Sequence, residues 1–390
     1  MPQPTPRKHY AYLDVLKILL ITLVVFHHAG QPYSDGGWWY FLSRETTPAL
    51  GPFFSVNAGF FMGLFFLISA YFVPASFAKK GTARFLKDRL IRLGIPLLFG
   101  VLILLPALMY AYYVNFRGYA PIGFFTYYAD IYFGFGDRPA DWTGPSWPDV
   151  QFGHLWFIQH LLVYACLYAL WQKFFGKRGG GEQDLAASRP PTNGAILLYA
   201  LVLAVVTFVV RIEYPIDRWA GFLGFIQTEF AHLPQYASLF VLGVMAYRRN
   251  WFENIPARTG YLWLAVGVVL ALSIYLRIAP PMTKGGWNWG NLNRSVIEAF
   301  LCIGLCVGLI VLFRECCNVT NAWLRTLSQN TFAVYLIHVP VLVAYQYLFA
   351  AVSLGGVVPK FLLIAVLGVV TSFLLSQYVL RKIPFVQKVL

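Results

Sequence analysis

The stretch Ala11-Tyr-Leu-Asp-Val-Leu-Lys-Ile-Leu-Leu-Ile-Thr-Leu-Val-Val-Phe-His-His-Ala-Gly30 decides the fold. A run of this length and apolarity spans a bilayer core, which takes about 20 residues of helix. Yet it contains Asp14, Lys17, His27 and His28. A charge near the bilayer centre costs roughly 2.5–3.5 kcal/mol on insertion scales, so ionisable groups in a span face protein or water rather than lipid. At about 100° per residue, Lys17 and His28 return to within roughly 20° of each other, and Asp14 lies about 60° from Lys17. These three residues form one polar stripe. His27 lies roughly 80° from Lys17 and is expected to point towards a neighbouring helix.

The rest of the 390 residues extends this pattern. Hydrophobic residues make up 58% and charged residues 12%, with a mean hydropathy of +0.61. A soluble domain carries about 25% charged residues, so the chain reads as an all-α polytopic membrane protein. The apolar runs are too continuous for alternating barrel strands. Ten spans are expected, near 11–32, 52–74, 93–115, 154–174, 194–212, 219–247, 259–279, 295–313, 328–350 and 359–380. The sixth is interrupted by Glu229, His232 and Pro234 and is expected to break or re-enter. The whole chain, 1–390, reads as a single membrane domain with no appended soluble domain.

The net charge of +14 does not indicate nucleic acid. Twenty Lys and Arg residues fall on the side of the N-terminus and nine on the other. The positive-inside rule then puts both termini in the cytoplasm, the expected location being the cell inner membrane. No cysteine falls in an outer loop, so no disulfide framework is expected. Residues 116–153 form the longest stretch outside the membrane, with the length of a binding loop or lid. Residues 176–193 read as a flexible linker. Trp38, Trp39, Trp142, Trp147, Trp287 and Trp289 lie towards the outer surface, where aromatic platforms suit sugar rings and membrane-interface tryptophans are common.

Four constellations could carry chemistry. In the first, a neutral His28 serves as general base, and Lys17, about 16 Å lower along the axis, binds an anionic group in the same cavity. Asp14 can pair with Lys17 but is too far from His28 to orient it, which leaves Glu229 and Glu298 as candidate orienting carboxylates. In the second, Arg89 and Arg92 are three apart and share a helical face at the membrane surface, where two guanidinium forks suit phosphates. The third is Gly153-His154-Leu-Trp156-Phe157 at the entrance of the fourth span. The fourth is Tyr335-Leu-Ile-His338-Val-Pro340 in the ninth. There is no metal-ligand spacing, phosphate-binding glycine loop or nucleophile elbow. A transporter using the polar stripe as a substrate or proton path is the alternative reading, and the absence of an internal repeat argues against it.

Taken in order, these pieces resemble the membrane acyltransferase 3 family, and within it the osmoregulated-glucan succinyltransferase branch. The matching residues are Leu13-Asp14-x2-Lys17-x10-His28, Phe66-Leu-Ile-Ser-Ala-Tyr-Phe72, Arg89-x2-Arg92-x3-Pro96, Gly153-His154-Leu-Trp-Phe157 and Tyr335-Leu-Ile-His338-Val-Pro340. The sequence departs from the family's pattern at Lys17, where arginine is usual, at Ala70, where glycine is usual, and in the doubled His27-His28. The resemblance implies transfer of an acetyl or succinyl group from cytoplasmic acyl-CoA to a hydroxyl of an extracytoplasmic glycan or glycolipid. It implies no permanently bound cofactor. His28 would be the base, with His27 as its neighbouring alternative. Lys17 would bind the donor along the cavity, and Arg89 with Arg92 would hold the coenzyme phosphates. His154, Trp156, His338 and Glu298 would be substrate contacts.

Overall fold

The computed structural model describes residues 9–34, 39–176, 189–222 and 226–389. Trp38 and most of the expected linker lie outside these residues. Ten helices carry the fold: α1 (Ala11–Gly30), α2 (Gly51–Tyr71), α3 (Val73–Arg117), α4 (Trp156–Phe175), α5 (Asn193–Glu213), α6 (Leu233–Arg248), α7 (Ala257–Tyr275), α8 (Trp289–Cys316), α9 (Ala322–Leu348) and α10 (Val357–Tyr378). An antiparallel hairpin, β1 (Trp219–Phe222) and β2 (Ile226–Glu229), precedes α6, with Trp219 opposite Glu229. Among the described residues, nine helices are long and apolar enough to cross a membrane. The expected sixth span divides into the hairpin and the 16-residue α6, about 24 Å long at 1.5 Å per residue. Pro234 suits the first turn of that helix, where a missing N–H goes unnoticed.

Hydrogen bonds sort the helix ends into two layers. Tyr12 at the start of α1 donates to Glu253 at 3.1 Å. Arg314 near the end of α8 donates to the carbonyls of Phe252, Glu253 and Ile255 just beyond α6. Trp263 in α7 reaches Asn193 at the start of α5, and Arg381 after α10 reaches Gln329 near the start of α9. The start of α1 and the end of α10 therefore lie on one face, called here the N-terminal face. On the far face Lys360 pairs with Glu45, and the N–H of Ile216 donates to the carbonyl of Lys284.

The long far-face loop is fixed by charge and aromatic contact. Arg117 pairs with Asp149 at 2.6 Å, both nearly sealed from solvent, and Tyr127 donates to the same carboxylate at 3.0 Å. Burial pushes the Asp149 carboxyl up to about 6 even with the Arg117 charge and these hydrogen bonds pulling the other way. The Arg117 guanidinium lies 4.9 Å from the Tyr112 ring and 4.9 Å from the Trp142 ring. The loop is therefore anchored to the end of α3.

Two close approaches depend on glycine. A Cβ on Gly308 of α8 would lie 2.5 Å from the Leu264 Cα of α7, and one on Gly100 of α3 would overlap the Leu155 side chain. The first lets two backbones meet, as small residues do between membrane helices. The second seats the residue next to His154. Because backbone cannot yield as a side-chain tip can, Gly308→Leu is expected to lower the thermal midpoint of the detergent-solubilised protein, at a cost of about 1–3 kcal/mol or more. A melting curve followed by tryptophan fluorescence checks this.

Candidate active site

The polar stripe of α1 meets α9, which runs beside it in the same direction. Near the N-terminal face Asp14 pairs with Lys17 at 2.6 Å and His9 at 2.8 Å. The Lys17 ammonium also lies 5.8 Å over the Phe72 ring. Further into the bundle His28 meets His338, with Nδ1 of His28 3.0 Å from Nε2 of His338.

The partners assign the protons of these two rings when both are neutral. Nδ1 of His338 faces only carbonyls, that of Tyr335 at 2.7 Å and that of Val334 at 3.2 Å. It therefore carries the hydrogen, and its Nε2 is an acceptor. Nδ1 of His28 has two acceptors, this Nε2 and the Val24 carbonyl at 3.1 Å. It too carries its hydrogen, which leaves Nε2 of His28 with an open lone pair. That is the state a general base needs.

Other groups fix this pair. Trp39 stacks on His28 with ring centroids 5.6 Å apart, and its indole N–H donates to Gln346 at 2.7 Å. Gln346 in turn donates to the Ala29 carbonyl. His154 stands edge-on to His338, 5.2 Å between centroids. Its Nε2 donates to the Leu336 carbonyl at 3.1 Å, and the Tyr335 hydroxyl donates to the His154 carbonyl. Nδ1 of His154 is buried without a partner. In the neutral ring that nitrogen is an acceptor.

His27 points elsewhere. Its ring lies among Phe53, Phe54 and Phe61 of α2, at 6.4, 4.8 and 5.1 Å. Trp156 stacks on Tyr236 and meets Trp219 edge-on at 5.7 Å.

The carboxylates proposed from sequence to orient His28 do something else. Glu298 is held by Arg211 at 2.6 Å and Arg294 at 3.3 Å, with His232 at 3.8 Å. Glu229 pairs with His232 at 2.8 Å and accepts from the Asp217 N–H. Both belong to an ion network centred on the fully buried Arg211, and His28 is oriented instead by Val24 and His338.

Arg89 and Arg92 differ in their surroundings, Arg89 being half-buried and Arg92 exposed. Leu90–Gly94 is π-helical, because the ring of Pro96 would collide with the carbonyl four residues back and the wider turn accommodates it. Arg89 folds over the Phe85 ring at 4.9 Å. Arg92 is exposed and lies 3.6 Å from Asp88.

Sequence comparison identifies the chemistry. The family model described as an acyltransferase domain, acyltransferase 3, matches residues 10–379. The chain belongs to that family. It is a membrane acyltransferase, and the transporter reading of the polar stripe is set aside. It is similar to glucans biosynthesis protein C of Salmonella paratyphi B (strain ATCC BAA-1250 / SPB7) and of Salmonella enteritidis PT4 (strain P125109). Each is 24% identical over 352 residues, covering 86% of this chain and 83% of the relative. No solved structure matches the chain.

Sequence reading missed Trp39 as a partner of His28, Gln346 as the residue that holds it, and Arg211. Only Arg211 left a signal, a basic residue near a span end. Removing one member of a buried ion pair costs about 3–5 kcal/mol. Glu298→Ala is therefore expected to lower the thermal midpoint strongly, and Glu298→Gln, which keeps an oxygen for Arg211, to lower it less. An unchanged midpoint in Glu298→Ala would show that the pair is not sealed from water.

Proposed function

We propose that this acyltransferase moves an acyl group, acetyl or succinyl, from acyl-CoA at the cytoplasmic side of the inner membrane to a hydroxyl of a glycan or glycolipid on the outer side. The observation that carries the reading is the free Nε2 of His28, left open by a directional chain of hydrogen bonds. The excess of basic residues on the N-terminal face supports its being cytoplasmic. The printed name of the relatives, glucans biosynthesis protein C, supports a glycan acceptor.

In this reaction Nε2 of His28 takes the proton of the acceptor hydroxyl as its oxygen attacks the thioester carbonyl. The tetrahedral intermediate collapses, the C–S bond breaks, and the imidazolium returns the proton to the departing coenzyme A sulfur. His338 is a positioning residue, since both its nitrogens are engaged. The free Nδ1 of His154 suits an acceptor hydroxyl, as it offers a lone pair rather than a hydrogen. Trp156 contributes a wall of the acceptor side. Lys17 and the two arginines near the N-terminal face provide cationic contacts for the donor phosphates. Glu298 acts through Arg211 and not on substrate.

His28→Ala is expected to reduce single-turnover transfer by 10²–10⁴-fold, the usual contribution of a general base, with acyl-CoA still bound. His27→Ala is expected to reduce it far less, through packing against α2. An active His28→Ala beside an inactive, donor-binding His27→Ala would move the base to His27.

For the phosphate contacts, Arg92→Ala is expected to weaken acyl-CoA binding in equilibrium titration while the melting curve stays put, because Arg92 is exposed. Arg89→Ala should weaken binding and also cost stability, because its guanidinium packs on Phe85. Unchanged donor affinity in both variants would reduce these arginines to setting topology.

A further inference from the structure

On the far face a cavity of about 340 Å³ opens between the end of α3, the long loop and the hairpin. It is lined by Tyr112, Arg117, Gln151, Arg218, Trp219 and Gln227, among others. We infer that this cavity is the binding subsite for a pyranose ring of the acceptor glycan; this rests on the glycan-acceptor reading above and extends it to residues not yet given a role.

Three observations support it. The volume falls in the ~300–1,000 Å³ range of small-molecule sites. The lining mixes two aromatic side chains with amides and guanidinium groups, the combination that fits a ring with an apolar C–H face and hydroxyls around its edge. The amides are prearranged: Gln227 donates to Gln151 at 2.6 Å and accepts from the Phe152 N–H at 2.8 Å.

The cavity is also joined to the histidine cluster. Gln151 and Phe152 run directly into Gly153 and His154. Trp219 contacts Trp156 edge-on, 5.7 Å between centroids. Gln227 is tied by its backbone to α4, its N–H donating to Gln159 at 3.0 Å and its carbonyl meeting His160 Nε2 at 3.1 Å. A glycan seated here lies beside the segment that leads into His154. The half-exposed Trp219 offers a face on which a ring can stack.

The test is calorimetric titration of the full-length protein in detergent with a β-linked glucose pentasaccharide. The parent protein is expected to bind it. Trp219→Ala is expected to lose at least about tenfold in affinity and Trp219→Phe, which keeps an aromatic face, to stay within about threefold. Size-exclusion chromatography establishes folding. If Trp219→Ala fails to fold, Arg218→Ala at the exposed rim takes its place, with the same loss expected. Binding by the parent with undiminished binding by the variant would place the sugar elsewhere and overturn the subsite. No binding by the parent would instead overturn the glucan-acceptor reading itself.

Discussion

A neutral imidazole has one donor and one acceptor, so a chain of imidazoles in a dry interior has a direction. Here it begins at the Tyr335 carbonyl, passes through His338, and ends at Nε2 of His28. Within a bilayer every polar group must find a partner inside the protein, and this chain satisfies three of the four ring nitrogens. The fourth is the one left for chemistry. The same contact fixes the register of α1 against α9, since sliding either helix by one residue would break it. Trp39, Gln346 and His154 then have defined positions around the pair. No carboxylate is needed. A carboxylate at this depth would place a full charge where its desolvation costs several kcal/mol.

The charges of the Arg211 network are kept apart from the His28–His338 pair and balance one another. Arg211 and Arg294 face Glu298, and His232 bridges Glu298 to Glu229. This network joins α5, α8 and the hairpin, so it holds in place the β2 strand from which Gln227 reaches the far-face loop. The glycine-mediated contact of α8 with α7 leaves the other side of α8 to carry Glu298. The polar interior thus has two parts, one neutral and one ionic, with the aromatic stack of Trp156, Tyr236 and His232 between them.

Hydropathy and periodicity made most of the fold legible. Apolar runs located the crossings, and helical phase correctly separated His28, which faces α9, from His27, which faces α2. The interruption at Glu229, His232 and Pro234 marked the place where a span gives way to a hairpin and a short helix. What sequence could not show depended on contacts between distant elements. Trp39 and Gln346 are separated by 307 positions, and no periodicity links them. The orienting partner of His28 was sought among carboxylates because they commonly play that part, whereas the partner is another histidine on a parallel helix. The different surroundings of Arg89 and Arg92 were not legible either, since the π turn at Leu90–Gly94 depends on Pro96 further along the chain.

The depth of each group also explains why the site is divided. His28 lies about 16 Å along α1 from Lys17, and Arg92 lies at the N-terminal face. In the proposed reaction the coenzyme phosphates carry several charges that would be costly to bring to the level of the histidines. They remain at the cationic face, and only the uncharged arm and thioester extend inward. The acceptor faces the opposite constraint, since a sugar is uncharged but dense in hydroxyls, each needing a partner. It is best met on the far face, where amides and aromatic rings line an open cavity. The free Nε2 of His28 between the two compartments can then serve both substrates without a charged group being carried across the membrane interior.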